Sequence, residues 1–425
     1  MLRVLLHNID PAVSRSTTIR RTLSSALYIT GDKAKEQYAP LVPYLDFQSK
    51  LADLGKLESN LRLRRYRLDF EVLKQQWELY RSIELRKRSI EARRVELRDL
   101  IAKAVSEDEV KQLKMQATLA KEDLKSLKES SYAVADVFVA KNFLRIPNEL
   151  HERTPADNGV VLFQNTTVKS KELASIGEEC LEEHDSTRLY MTEDAALMDL
   201  FLPMSCVNVF QDAGFILFSN PDFVRSVLVE AAQVDLNSIY LVNEEVDLEH
   251  TLNRLHLCGG GSLLGFLGYF TKLLVFPNAL PLRLVTVGNQ YFNEKIQTRA
   301  VHILATAHHE TEAIRIFDEA IELYKEFFDR LEIRYRLMLV SAHGLNPAEA
   351  MRVDVEVFSP KAKDFTKVGD LCYYSDFISK RIAFNYHEDK IQRFPHIVSG
   401  TVLGCVSMIK LLLQLGISFK DLNVK

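Results

Sequence analysis

Residues 45–142 contain one glycine, Gly55, and no proline. A run that long with so few breakers points to extended helix before any other property is considered. From Leu61 to Leu100 charged and apolar residues alternate, and Val72, Leu79, Ile83, Ile90, Leu97 and Ile101 recur at spacings of seven and four. That is the spacing of a helical seam. Ser106 with Glu109 three residues on then forms a capping-box pattern, which marks a second helix start. Its seam is stricter: Val110, Leu113, Ala117, Ala120, Leu124, Leu127, Ser131, Val134 and Phe138 alternate by three and four. Two long helices joined by a short turn fold back as an antiparallel coiled coil.

The first helix is rich in arginine: Arg62, Arg64, Arg65, Arg67, Arg81, Arg86, Arg88, Arg93, Arg94 and Arg98 outnumber their acidic neighbours. The whole chain instead carries a formal net charge of −4, so a basic arm stands out against an acidic background. Guanidinium matches phosphate with paired hydrogen bonds, and Arg62, Arg65, Arg86, Arg93 and Arg94 are the candidate RNA contacts. A solvated helix face with i,i+4 ion pairs would carry similar charges.

The 425 residues suffice for two or three domains. Five widely spaced cysteines without a C-x-x-C pair argue against a disulfide framework or a zinc site. No apolar run reaches the roughly 18 residues of a membrane span. Up to Thr30 the only acid is Asp10, against Arg3, Arg15, Arg20 and Arg21 amid serines and threonines. This is the composition of a mitochondrial presequence over residues 1–30, cut near Leu23–Gly31, and also that of a basic unstructured tail.

Two prolines in "RIPNELHERTP" (145–155) end the helical region and open a linker, with a globular domain over 146–425. Leu197–Leu202, Pro221–Gln233, Glu310–Leu331 and 407–415 read as helices. The segments 238–242, 282–287 and 348–358 read as strands. The mixture suggests an α+β domain with an antiparallel sheet and flanking helices. "CGGGSLLGFLG" lacks the Gly-Lys-Ser/Thr of a phosphate loop and reads as a glycine-rich turn. His308, His309 and Glu310 lack H-E-x-x-H spacing, so no metal ligands are assigned. No Gly-x-Ser-x-Gly elbow is present.

A basic helical hairpin, then "IPN", then such a domain resembles a class II seryl-tRNA synthetase. "LPLR" with "QYFNE" (280–294) resembles the strand into motif 2, and "VDVEVFSP" (353–360) the Asp-Leu-Glu-Val-Trp strand. "SDFISKRI" (375–382) resembles Asp-Phe-Gln-x-Arg-Arg, keeping Asp376, Phe377 and Arg381, and "SGTVLG" (399–404) resembles motif 3. The resemblance implies an ATP site built from two arginines, acid-held Mg²⁺ and a serine-reading loop. In register with those motifs, Phe292 takes the place of the motif 2 arginine, while Glu294 is kept. Lys367 takes the place of the metal-holding glutamate with Asp370 nearby, and Ser407 that of the motif 3 arginine. Gly260 and Ser262 take the places of the serine-reading residues, and no proline stands near Asn243, where motif 1 is expected.

One preorganised donor is worth about 10²–10³ in rate, so these departures imply a catalytically silent member that needs no cofactor. Phe292 and Ser407 would then fill a collapsed, dry pocket. The resemblance further implies a matrix protein that dimerises, with the mitochondrial seryl-tRNA synthetase or with itself, and supports mitochondrial translation. Its arm would touch mitochondrial serine tRNA or another RNA. An active but diverged ligase would need substitute cations, of which Arg283, Lys295, Arg299 and Lys380 are nearest in sequence. A free-standing RNA-binding regulator is the third reading.

Overall fold

The computed structural model describes residues 25–28, 41–165, 178–185, 187–242, 254–293, 295 and 297–422. In the N-terminal region a short helix, Phe47–Ala52, leads into helix α1 (Leu54–Leu63), followed by the long pair α2 (Phe70–Lys103) and α3 (Glu107–Ala135). At 1.5 Å per residue α2 is about 50 Å long. The α3 seam lies as its spacing requires. Leu124, Ser131 and Phe138 are buried, the other six positions are half-buried, and nearly all their neighbours face solvent.

The α2 seam differs from expectation. Val72 and Leu79 are exposed, and the inward positions are Leu73, Trp77, Tyr80, Ile83, Glu84, Lys87, Ile90, Leu97 and Ile101. Aromatic packing at the base sets this register: Trp77 and Tyr80 stack with Phe138, and Phe47 and Phe143 join them. One π-helical turn, Asp136–Ala140, ends the hairpin where Phe138 and Val139 are both fully buried. Farther out the seam admits a polar pair, Ser131 Oγ donating to Glu84 at 2.9 Å, beside the Glu84–Lys87 ion pair.

The long helix also starts later than Leu61. The chain turns at Arg65, which has φ 51°, and restarts where the Asp69 carboxylate accepts Val72 N–H, a side-chain N-cap. Arg64, read as outer-face charge, is 5% exposed and donates to the carbonyls of Asn148, Asn346 and Glu349. It is a rivet between arm and core. Arg62 and Arg65 sit at this base rather than on the projecting coil.

"IPN" is likewise anchored rather than a free linker. Asn148 is buried and donates to the carbonyls of Ala348 and Tyr374 at 3.0 and 2.7 Å.

The core is an eight-stranded sheet. Its strands are β1 (Val160–Gln164), β2 (Ile216–Leu217), β3 (Arg283–Gln290), β4 (Thr298–Ala307), β5 (Tyr335–Leu339), β6 (Met351–Ser359), β7 (Asp364–Ser375) and β8 (His396–Gly404). The spatial order is β1-β5-β6-β7-β8-β4-β3-β2, antiparallel throughout except β2 against β3. Alternation along β6 explains its two faces: Val353, Val355 and Val357 are buried, whereas Arg352, Asp354 and Glu356 point the other way.

The apolar face is covered by α4 (Glu193–Asp212), α6 (Glu310–Arg330) and α8 (Cys405–Gln414). Phe317, Tyr324, Phe327 and Phe328 of α6 fill that layer, each such side chain contributing about 1.5–3 kcal/mol on burial. Opposite lie α5 (Leu263–Phe270), α7 (Phe377–Ile382) and the base of the arm, in a second apolar cluster. Residues 25–28, inside the segment read as a presequence, pack into this second cluster.

Candidate functional site

The polar face of the sheet collects the residues aligned with the class II motifs. Strands β6 and β7 place Asp354 directly opposite Asp370. Like charges in that position repel, so a cation is required between them. Lys367 supplies it, with Nζ 2.8 Å from Asp354 and 2.9 Å from Asp370. Burial alone would pull the Lys367 ammonium down, but Asp370 and Asp354 outweigh it and its pKa is raised. Burial likewise pushes Asp370 up, and Lys367 together with the Thr401 N–H overrides that, leaving its pKa lowered.

Arg352 continues the ladder, 2.9 Å from Asp354 and 2.8 Å from Glu349, and Arg336 pairs with Glu356 at 2.6 Å. Four carboxylates here meet three paired cations, and the exposed Arg334 stands beside them over the Phe358 and Phe365 rings, so the face carries no positive excess of the kind a polyphosphate needs. The donor set does not fit a divalent cation either, because an ammonium already takes both carboxylates.

Glycine explains the close approach of the neighbouring strands. A Cβ at Gly400 would stand 2.1 Å from the Asp370 carbonyl, and one at Gly369 would stand 2.5 Å from that of Thr401. The turn before α5 is fitted to β3 in the same way. A Cβ at Gly259 would lie 1.8 Å from Asn289 O, and one at Gly261 would lie 2.4 Å from Gly288 O. Gln290 Nε2 closes the seam by donating to Gly261 O at 2.6 Å and Thr401 Oγ1 at 3.0 Å. The Ser262 hydroxyl is spent on Gly259 O at 2.7 Å, and the Gly260 N–H on Asp222.

Behind this turn, His302 is held by Thr401 and Ser399 at 3.1 and 2.9 Å. Burial lowers its pKa to about 4, so it is a neutral wall residue rather than a phosphate-binding cation.

Phe292 and Ser407 do not fill a pocket. Phe292 is 38% exposed, beneath Lys295 at 5.6 Å from its ring, and Ser407 is half-buried in the first turn of α8. Glu294 and Asn243 lie outside the described residues. Of the substitute cations, Arg283 pairs with Glu319 at 2.6 Å, Arg299 with Asp199 at 3.3 Å and Lys380 with Asp376 at 2.7 Å. Lys410, one turn beyond Ser407, is held by Glu183. Arg381 is buried, donates to Leu144 O and sits over the Phe377 ring. His308 and His309 serve the start of α6, His309 accepting Glu312 N–H as its N-cap. Among the described residues no cluster of His, Cys, Asp and Glu could hold a metal ion.

The candidate RNA contacts divide into two places. Arg86, Arg93 and Arg94 lie exposed on the outer part of α2, and Arg62 and Arg65 at the base. Arg93 pairs with Glu96 at 3.1 Å. Among the described residues Arg86 and Arg94 have no carboxylate partner.

Sequence reasoning missed Asp354, Arg352 and Glu349 as members of the ladder. The alternation of "VDVEVF" put Asp354 and Glu356 on one face, but nothing local placed that face opposite Lys367. It also missed an apolar row on α4. Leu197, Leu200, Phe201 and Met204, spaced by three and four, are all exposed, as are Ile216 and Leu217 on β2.

No family model matches the chain. The serine–tRNA synthetase-like protein Slimp of Drosophila melanogaster is 33% identical over 431 residues, 96% of this chain and 92% of that protein. The serine–tRNA ligase of Borrelia recurrentis is 23% identical over 65% of this chain and 71% of the ligase. The seryl-tRNA synthetase of Pyrococcus horikoshii, solved with ATP, matches the fold with a TM-score of 0.72 at 16% identity, over 87% of this chain and 94% of that one. The cytoplasmic serine-tRNA ligase of Naegleria fowleri, solved with AMP, gives 0.71 at 16% identity, over 87% and 92%.

Proposed function

The chain belongs to the class II seryl-tRNA synthetase family, and from that premise we propose that it is a non-catalytic member acting as a dimer subunit. The observation that carries the reading is Lys367, whose ammonium bridges Asp354 and Asp370. An ATP site needs cations free to meet phosphate oxygens and a metal held by acids. Here Lys367, Arg352 and Arg336 are each neutralised within the protein, and Phe292 and Ser407 supply no replacement.

The partner is the catalytic mitochondrial seryl-tRNA synthetase. The apolar row of α4 with Ile216 and Leu217 supports an interface between two class II cores, since monomeric proteins rarely leave such a row uncovered. The composition of residues 1–30, which lies mostly outside the described residues, supports a matrix location. In this role the protein stabilises the catalytic subunit and supports mitochondrial translation, and its arm offers Arg86, Arg93 and Arg94 to RNA.

The test is serine- and ATP-dependent pyrophosphate exchange, run on the purified chain and on the chain co-expressed with the mitochondrial synthetase, with each sample sized by light scattering. The expected result is no exchange by the chain alone above a heat-killed control, and a mixed dimer that exchanges through its partner. Exchange by the chain alone overturns the non-catalytic reading. A dimer of this chain only, with no mixed species, overturns the choice of partner.

A further inference from the structure

Residues 25–27 all donate to one carboxylate. Glu230, next to the end of the short helix Ser226–Ala231, accepts Ser25 Oγ at 2.5 Å, Ala26 N–H at 2.7 Å and Leu27 N–H at 2.9 Å. The Ser25 hydroxyl in turn accepts Leu27 N–H at 3.2 Å and Tyr28 N–H at 2.9 Å, which folds the segment into a compact turn. Leu27 is 1% exposed and Ala26 is 6% exposed. Both sit in the apolar cluster that also contains Leu41, Leu57, Leu61, Leu73 and Phe138 from the arm base and Val227, Phe266 and Ile382 from the core. The turn therefore closes the junction between arm and core.

Backbone N–H groups left without Glu230 at this depth would go unsatisfied. Glu230 without the turn would face the buried Arg381, whose pKa burial lowers to about 9, with no N–H donors to order it.

We infer that proteolytic maturation of this chain stops before Ser25, and that Ser25–Tyr28 remains as a latch docked on Glu230. The inference rests on reading the preceding residues as an import presequence, and it narrows the Leu23–Gly31 window to its first residues. A cut after Leu27 removes a fully buried side chain and all three donors to Glu230. Such a product loses the plug of the arm–core junction.

Two measurements test it. N-terminal peptides of the protein purified from mitochondria are expected to begin at or before Ser25, and a matrix product beginning after Ser25 overturns the proposal. Chains beginning at residue 25 and at residue 29 are compared by thermal melting, and the shorter one is expected to melt lower by roughly 3–6 °C. Equal melting overturns the latch.

If the shorter chain does not fold, amide hydrogen exchange on the full chain decides. Ala26 and Leu27 are expected to be protected, and Glu230→Ala to raise their exchange at least tenfold. Unprotected amides in the unsubstituted chain overturn the latch. A protein found uncut, or outside mitochondria, sinks the import reading and the cut site with it, while melting and exchange still decide the latch on its own.

Discussion

The arm and the polar face of the sheet are both rich in arginine and lysine, yet they handle that charge in opposite ways. On the arm, Arg86 and Arg94 stand in solvent without carboxylate partners among the described residues, and Arg93 has only the exposed Glu96. On the sheet, Lys367, Arg352 and Arg336 are each locked to carboxylates on the same or the adjacent strand. A cation in solvent keeps its capacity to meet a phosphate, whereas one held between two carboxylates has already given it up. The same residue types therefore stand open to solvent in one region and form internal cross-links in the other. The repulsion of Asp354 against Asp370 is relieved by a lysine from within the protein.

The largest effect should come from reversing the arm charges. Arg86→Glu, Arg93→Glu and Arg94→Glu together are expected to weaken RNA binding by about 10²–10³ at moderate salt, because each reversal removes a phosphate contact and adds a repulsion. Melting temperature should stay within about 1 °C, since none of the three is buried. Filter binding across a salt series, beside a melt, reads both. A large stability loss with unchanged binding would mean that the arm's charge is structural like the sheet's.

A smaller effect is expected from Lys367→Ala. It leaves Asp354 facing Asp370 with only Arg352 beside Asp354, and that remaining pair together with partial exposure of the ammonium keeps the cost to about 1–2 kcal/mol. The raised pKa of Lys367 makes its contribution complete below the ordinary lysine value of 10.5, and lost only as pH climbs through the raised value. The lowered pKa of Asp370 makes its share present above the ordinary 3.8, and lost as pH falls through the lowered value. The gap between unsubstituted chain and variant in urea unfolding should therefore hold from about pH 5 to 9 and close in stronger acid. A gap that persists unchanged at about pH 2 would mean that Lys367 acts by packing rather than by charge.

The smallest effect sharpens the contrast within the arm. Arg93→Gln removes an exposed i,i+3 pair and should change stability by less than about 0.5 kcal/mol. Its loss of RNA affinity should be smaller than that of Arg86→Gln, because Glu96 already screens Arg93.

The seam of α3 was legible to the last residue, because a two-helix contact imposes a local period and "VSEDE" marks where it begins. The α2 seam was legible in its outer part. Ile83, Ile90, Leu97 and Ile101 hold, but Val72 and Leu79 turn outward, because the clustering of Trp77 and Tyr80 around Phe138 sets the phase at the base. The break at Arg64–Asp69 had a local sign in Asp69, a capping residue ahead of an apolar run. The burial of Arg64 had none, since its carbonyl partners come from the segment 148–349.

The sequence by itself determined the helical hairpin, the alternation of β6, the long α6 and the colinear order of motifs that reveals the family. All of these are periods or orders along one chain. Tertiary structure alone decided that Lys367 bridges two acids, that Gly259 and Gly261 lie flat on β3, that α4 carries an uncovered apolar row, and that Ser25–Tyr28 docks on Glu230. Those outcomes depend on which strands and turns become neighbours across long separations. A charge or a glycine has meaning there only through what folding places within about 3 Å of it.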